Sequence, residues 1–240
     1  MGSTTTRVVV GEFLKGEKNP KIIGIGENET KGFRHGYVVN ISEATTSLKK
    51  AISMAEKSSG MKIRHALISI GGVTLRGDIS AGVSIISKAD SEVTGLDINK
   101  ALQDCEDNIN LNNKKVIKVF PLSFRLDGKE ILGRPEGMKG TKLEIKALFV
   151  TCSLSHFEDL LEVIASAGIE PIDIIASAEA GSYIALSEKQ KIVGGALVNI
   201  GSETVSLSIF ENGTLVSLHT FSIGGADITN DIALGMKVSL

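Results

Sequence analysis

Asn40-Ile41-Ser42-Glu43-Ala44-Thr45-Thr46-Ser47-Leu48-Lys49-Lys50-Ala51-Ile52-Ser53-Met54-Ala55-Glu56-Lys57-Ser58-Ser59-Gly60, followed by His65-Ala66-Leu67-Ile68-Ser69-Ile70-Gly71-Gly72, decides the fold. Ala44, Leu48, Ala51, Ile52 and Ala55 recur at helical spacing and make one apolar stripe. Asn40 or Ser42 can cap that helix, and Gly60 stands where a left-handed residue ends one. His65 to Ile70 reads as a buried type of strand that stops at the glycine pair. Upstream, Thr6 to Phe13 is β-branched and short, and Lys21 to Gly26 follows Asn19-Pro20, so the two predict a hairpin. Two strands, a helix and a strand open an α/β layer.

Downstream the pattern changes. A strand near Gly82 to Ser87 and a helix near Leu96 to Asp107 come first; the helix carries Ala101, Leu102 and Cys105 on one side. A strand near Lys115 to Pro121, a turn at Asp127-Gly128, the loop Gly133-Arg134-Pro135-Glu136-Gly137-Met138-Lys139-Gly140 and a strand from Lys142 to Phe149 follow. This stretch predicts a small α+β unit inserted into the first layer. The layer then resumes. Ser155 can cap a helix bearing Phe157, Leu160, Leu161, Ile164 and Ala165; Pro171 to Ile175 is strand-like, and Ala176 to Leu186 is a helix of small residues. Ala196 to Ile200, Thr204 to Phe210 and Thr214 to Phe221 read as three strands, the last two joined by Asn212-Gly213. Gly224-Gly225 opens a final helix from about Asp227, and the chain reads as cut short within it.

Composition removes several function classes. Twenty-six basic and 28 acidic residues leave a net charge of −2, and aromatics make up 4% with no Trp. Neither a basic field nor stacking platforms for nucleic acid are present. Cys105 and Cys152 have no CxxC spacing, and the four histidines are scattered, which points to a reducing compartment and against a His-based metal site. No signal peptide or apolar run long enough to span a bilayer stands in the sequence, so a cytoplasmic protein is expected.

Two short loops carry the candidate chemistry: Gly2-Ser3-Thr4 before the first strand, and Gly201-Ser202-Glu203-Thr204 between two later ones. Glycine lets backbone N–H groups approach an anion, and Ser and Thr hydroxyls add donors to phosphate oxygens. One such loop at the start of each half suggests opposed clamps on one nucleotide. There is no GxxxxGK[ST] and no GxGxxG after a strand.

Several stretches then resemble the FtsA family of bacterial cell-division proteins, within the actin and DnaK-type ATPase superfamily. They are Ile23-Gly24-Ile25-Gly26-Glu27, Lys31 through Asn40, and Ala55 through Gly60. In the inserted unit they are Phe120-Pro121 with Phe124, Asp127-Gly128, and Pro135 through Gly140 with Leu143-Glu144. Ile223-Gly224-Gly225-Ala226-Asp227-Ile228-Thr229-Asn230-Asp231-Ile232-Ala233 is the last. The resemblance implies an actin-like (ribonuclease H-like) α/β fold with an inserted small α+β subdomain and an incomplete second half. Residues 1–72 and 151–190 would form the first subdomain, 73–150 the insertion, and 191–240 the start of the second half. ATP with Mg²⁺ would bind between the halves, met by Gly2, Ser3, Thr4, Gly201, Ser202, Thr204, Gly224 and Gly225, with Asp173 holding a metal-bound water and no direct protein ligand to the metal. It further implies polymerisation through the inserted subdomain, and recruitment of the tubulin-like FtsZ and later division proteins to the inner face of the membrane.

The second loop departs from the family's D-I-G-G-G-T-T-D pattern: it reads Asn199-Ile200-Gly201-Ser202-Glu203-Thr204-Val205-Ser206. Asn199 lacks the charge that would organise Mg²⁺, and Glu203 brings a carboxylate toward the phosphates, so at most weak hydrolysis is expected. The acidic residue that precedes the first loop's glycine in the family has no counterpart here. Two alternatives stay open, a PilM-type pilus assembly protein and a small-molecule kinase of the same superfamily.

Overall fold

The computed structural model describes residues 1–17, 19–87 and 91–239. Strands β1 (Thr5–Glu12) and β2 (Lys21–Glu29) form the expected antiparallel hairpin, and a small hairpin of β3 (Phe33–Arg34) and β4 (Tyr37–Val38) follows. Helix α1 (Ile41–Ser59) starts at Asn40, whose side chain accepts from the Glu43 N–H, and ends at Gly60 with φ +72°. Its stripe of Ala44, Leu48, Ala51, Ile52 and Ala55 is buried. Gly26 shows how tightly β2 lies on that helix: a Cβ there would stand 1.9 Å from the Ala51 carbonyl oxygen. Only a residue without a side chain permits the contact.

Strand β5 (His65–Ile70) lies parallel to β10 (Glu170–Ala176). The sequence reads β5 as buried on both faces, but it alternates, with Leu67 71% exposed and Ile70 fully buried, because helices cover one face only. The β1–β2 and β5–β10 pairs share no ladder. A cavity of about 590 Å³ separates them, walled by Val8, Val10, Ala66 and Ile68 with Leu48 and Ile164 among its other lining residues.

The middle segment builds its own antiparallel sheet, in the order β6-β9-β7-β8, from β6 (Arg76–Ile85), β7 (Lys114–Leu126), β8 (Lys129–Ile131) and β9 (Lys142–Ser153). Helix α2 (Gly95–Asp107) packs on it through Ala101 and Cys105. Strand β9 serves two cores. Leu143, Ile145, Ala147 and Phe149 join Ala101 and Cys105, whereas Leu148, Val150 and Cys152 join Leu48, Ile52 and Ile70. One strand presents alternate residues to opposite faces, so it binds the two cores together.

Helix α3 (Leu154–Ser166) starts two residues earlier than the sequence suggests: Ser153, not Ser155, is its N-cap. The buried side chains are His156, Leu160, Val163 and Ile164, and Ala165 faces out. Helix α4 (Ser177–Ala185) is followed by a short helix not foreseen, α5 (Glu188–Val193), which Ser187 caps by accepting from the Gln190 N–H. Strands β11 (Gly195–Ile200), β12 (Val205–Glu211) and β13 (Thr214–Phe221) form the last sheet, and α6 (Gly225–Met236) closes the chain. Phe210, Leu215 and Leu218 reach into the first core.

Candidate cleft between two hydroxyl loops

The turn between β3 and β4 organises the site. His35 and Gly36 both adopt positive φ, +48° and +79°, so their N–H groups leave the turn in succession. The Gly36 N–H donates to Ser3 Oγ at 2.9 Å, and the His35 N–H donates to Glu203 Oε2 at 2.6 Å. His35 Nδ1 also meets the Glu203 carbonyl oxygen at 3.2 Å, a contact that requires the Nδ1–H tautomer. One two-residue turn therefore touches both candidate loops. On its other side the His35 carbonyl accepts from the Val73 N–H, which ties the turn to the start of the middle segment.

Each loop is held by its own backbone. Gly2 N–H donates to the Thr5 carbonyl, and Thr4 accepts from the Thr30 N–H. In the second loop Gly201 N–H donates to the Thr204 carbonyl at 2.8 Å. Gly224 and Gly225 lie directly beneath it: Gly225 and Ala226 donate to the carbonyls of Gly201 and Ser202, and a Cβ on Gly224 would fall 2.3 Å from the Ser202 oxygen. The Asp227 carboxylate accepts from the Gly224 N–H at 2.7 Å. The first N–H groups of α6 are thus committed to the loop and to Asp227, and they brace the loop from below. Ser3, Ser202 and Thr204 are half-buried, while Gly2, Thr4 and Gly201 face solvent.

Asp173 stands apart from this group. It lies exposed on β10, accepts from the Ile174 N–H, and adds to the negative field on Lys118; among the described residues no hydrogen bond links it to either loop. A second polar group, unread in the sequence, sits where β7 meets α4. Lys118 Nζ lies 2.5 Å from Glu179 Oε1, Tyr183 donates to the same oxygen at 3.0 Å, and Glu179 is 3% exposed. The His35-Gly36 pair was legible in principle, since X-Gly between two short β runs is a hairpin signal. Glu179 carried no comparable sign.

The residues present fit a polyphosphate in one respect and oppose it in another. Ser3, Thr4, Ser202 and Thr204 place hydroxyl donors in two loops joined through one turn. Glu203 places a carboxylate on the same turn.

These features define an actin-like α/β protein with an inserted unit. The complete chain superposes on a PilM–PilN type IV pilus biogenesis complex at TM-score 0.72 and 15% identity, covering 65% of that chain. It also superposes on the ethanolamine utilization protein EutJ from Carboxydothermus hydrogenoformans at TM-score 0.54 and 14% identity, covering 99% of this chain and 55% of that one. At such identities the likeness speaks for the fold. The family model for the SHS2 domain inserted in FtsA matches residues 72–151, and that for cell division protein FtsA matches residues 196–240. The chain is 30% identical to cell division protein FtsA of Bacillus subtilis over 239 residues, and 30% identical to that of Pseudomonas aeruginosa over 237. The chain belongs to the FtsA family of cell-division proteins. It spans 54% and 56% of the length of these two relatives, and 100% and 99% of its own.

Proposed function

We propose that this chain is the nucleotide-clamping and assembly portion of a division protein that recruits FtsZ and later division proteins to the inner face of the membrane. The observation that carries the reading is the meeting of Ser3 and Glu203, one from each hydroxyl loop, on the single turn His35-Gly36. In that reading Ser3, Thr4, Ser202 and Thr204 would hold ATP phosphates, Mg²⁺ would supply neutralising charge, and Gly224 and Gly225 brace the second loop. Held by both loops, a nucleotide would tie the two halves into one orientation. Asn199 lies where the family has an aspartate, so the halves are held without efficient hydrolysis. The unit at 73–150, between the segments 1–72 and 151–190 of the first subdomain, serves filament contacts, and residues 191–240 begin the second half. No helix among the described residues is long and apolar enough to cross a membrane, and attachment in this reading is peripheral. The inserted-domain match over 72–151 favours division over pilus assembly or sugar phosphorylation.

Thermal unfolding with and without millimolar Mg-ATP tests the clamp. A ligand present at a hundred times its Kd stabilises by about 2.7 kcal/mol, a shift of several degrees. An unchanged Tm at that concentration counts against the clamp, and co-sedimentation with FtsZ filaments tests the recruitment.

A further inference from the structure

We infer that Glu203 is the resident anion of the site: its carboxylate clasps the His35-Gly36 turn and ties the second loop to it without nucleotide, in competition with a polyphosphate. The competition rests on the nucleotide reading above; the clasp does not.

The argument begins with the turn. Successive backbone N–H groups leaving a tight turn form a concavity that holds an anion. His35 and Gly36, both at positive φ, make such a pair. Neither N–H is free. Gly36 donates to the Ser3 hydroxyl, and His35 donates at 2.6 Å to the Glu203 carboxylate, whose charge strengthens such a bond. The imidazole of His35 adds a second bond, to the carbonyl of the same Glu203. The acid therefore meets its turn through both side chain and backbone, which fixes the second loop against the first half.

Position gives this contact its consequence. Glu203 lies between Ser202 and Thr204, both half-buried, and its loop is braced by Gly224, Gly225 and Ala226. A carboxylate bonded to the His35 N–H occupies a donor that a phosphate oxygen could otherwise take, and repels a phosphate that approaches. The same bond joins loops 168 residues apart, and adds a polar tie to the apolar packing of Phe210, Leu215 and Leu218 in the first core.

The test uses Glu203→Ala and Glu203→Gln. The glutamine keeps an acceptor for the His35 N–H and removes only the charge, so it serves as the folded control. Amide exchange at His35 reports the clasp, and isothermal titration with Mg-ATP and with inorganic tripolyphosphate reports the competition. Glu203→Ala is expected to speed His35 exchange at least tenfold, with less effect from Glu203→Gln. Both variants are expected to bind Mg-ATP and tripolyphosphate about tenfold more tightly than the parent. His35 exchange unchanged in Glu203→Ala overturns the clasp. Equal affinities in parent and Glu203→Gln overturn the competition. Faster exchange with no binding by any of the three proteins supports the clasp and sinks the nucleotide reading alone.

Discussion

Gly36 and Gly72 meet backbone to backbone, so closely that a Cβ on Gly36 would lie 2.5 Å from the Gly72 Cα. Both hold left-handed φ, +79° and +97°. The contact seats the β3–β4 turn on the glycine pair that ends β5, and so positions His35 and Gly36 for the two loops. Gly36→Ala is expected to cost about 3 kcal/mol or more, from overlap added to the left-handed penalty of about 1–2 kcal/mol. Gly60→Ala supplies the control, since Gly60 shares the conformation but a Cβ there meets nothing within 4 Å. Its cost should be about 1 kcal/mol. Urea unfolding compares them, and equal losses would show that the Gly36–Gly72 approach does not matter.

His156 gives the acid limb of stability. Burial pushes its imidazole below the ordinary 6.5, against the Asp159 carboxylate and a hydrogen bond with the Gly36 backbone, which act in the other direction. Its Nδ1 lies 2.7 Å from Thr74 Oγ1, and Tyr37 stands edge-on at 6.2 Å. A base with a depressed pKa stabilises the fold above its unfolded value and loses that contribution as pH falls through the folded one. The urea midpoint should therefore drop between neutral pH and about pH 5. In His156→Gln the drop should be smaller, whatever the variant's stability at neutral pH. A parallel fall in both proteins would remove His156 from the account.

The same residues show what a sequence can and cannot disclose. Helix α1 was legible because its stripe, its Asn40 cap and Gly60 are local features within 21 residues. The turns Asp127-Gly128 and Asn212-Gly213 were legible because both their residues adopt the positive φ that such pairs favour. The two hydroxyl loops could be named and expected to oppose each other, but not the contacts that join them, because His35 and Glu203 are 168 apart. His156 looked like a scattered histidine. Buried, it has its hydrogen-bond partner in Thr74, 82 positions away, which no periodicity records. Helix α5 is only six residues long, too short for any apolar pattern to mark it.

Lys118 and Glu179 pin the inserted sheet to α4. The Glu179 side chain is 4% exposed and that of Lys118 46%, so the acid carries the desolvation and the base remains partly screened. Burial lowers the Lys118 pKa, but the hydrogen bond and attraction from Glu179 outweigh it and hold the value above 10.5. The pair's contribution is full below pH 10.5 and fades as pH rises through the raised value. Lys118→Met leaves the buried carboxylate only the Tyr183 hydroxyl, since its second oxygen has no partner among the described residues, and should cost about 1–3 kcal/mol. Adding Glu179→Gln should restore part of that loss. A double-mutant cycle measures the coupling, and strict additivity would show the pair to be idle.

The two thiols report whether the cores open together. Burial pushes both Cys105 and Cys152 up to about 11, and neither side chain reaches solvent. Near pH 8 the thiolate fraction should be about a hundredfold below that of an unfolded chain, so native labelling by iodoacetamide should be slow for both. Cys105 belongs to the core of the inserted sheet and Cys152 to the first core, yet both cores are built on alternate faces of β9. Stripping one face of a strand exposes the backbone that supports the other, so the cores should unfold as one cooperative unit. The labelling rates of Cys105 and Cys152, followed by mass spectrometry, should then rise over the same range of urea with the same slope. Earlier labelling of Cys105 would mean that the inserted sheet opens alone, and that β9 does not couple the two.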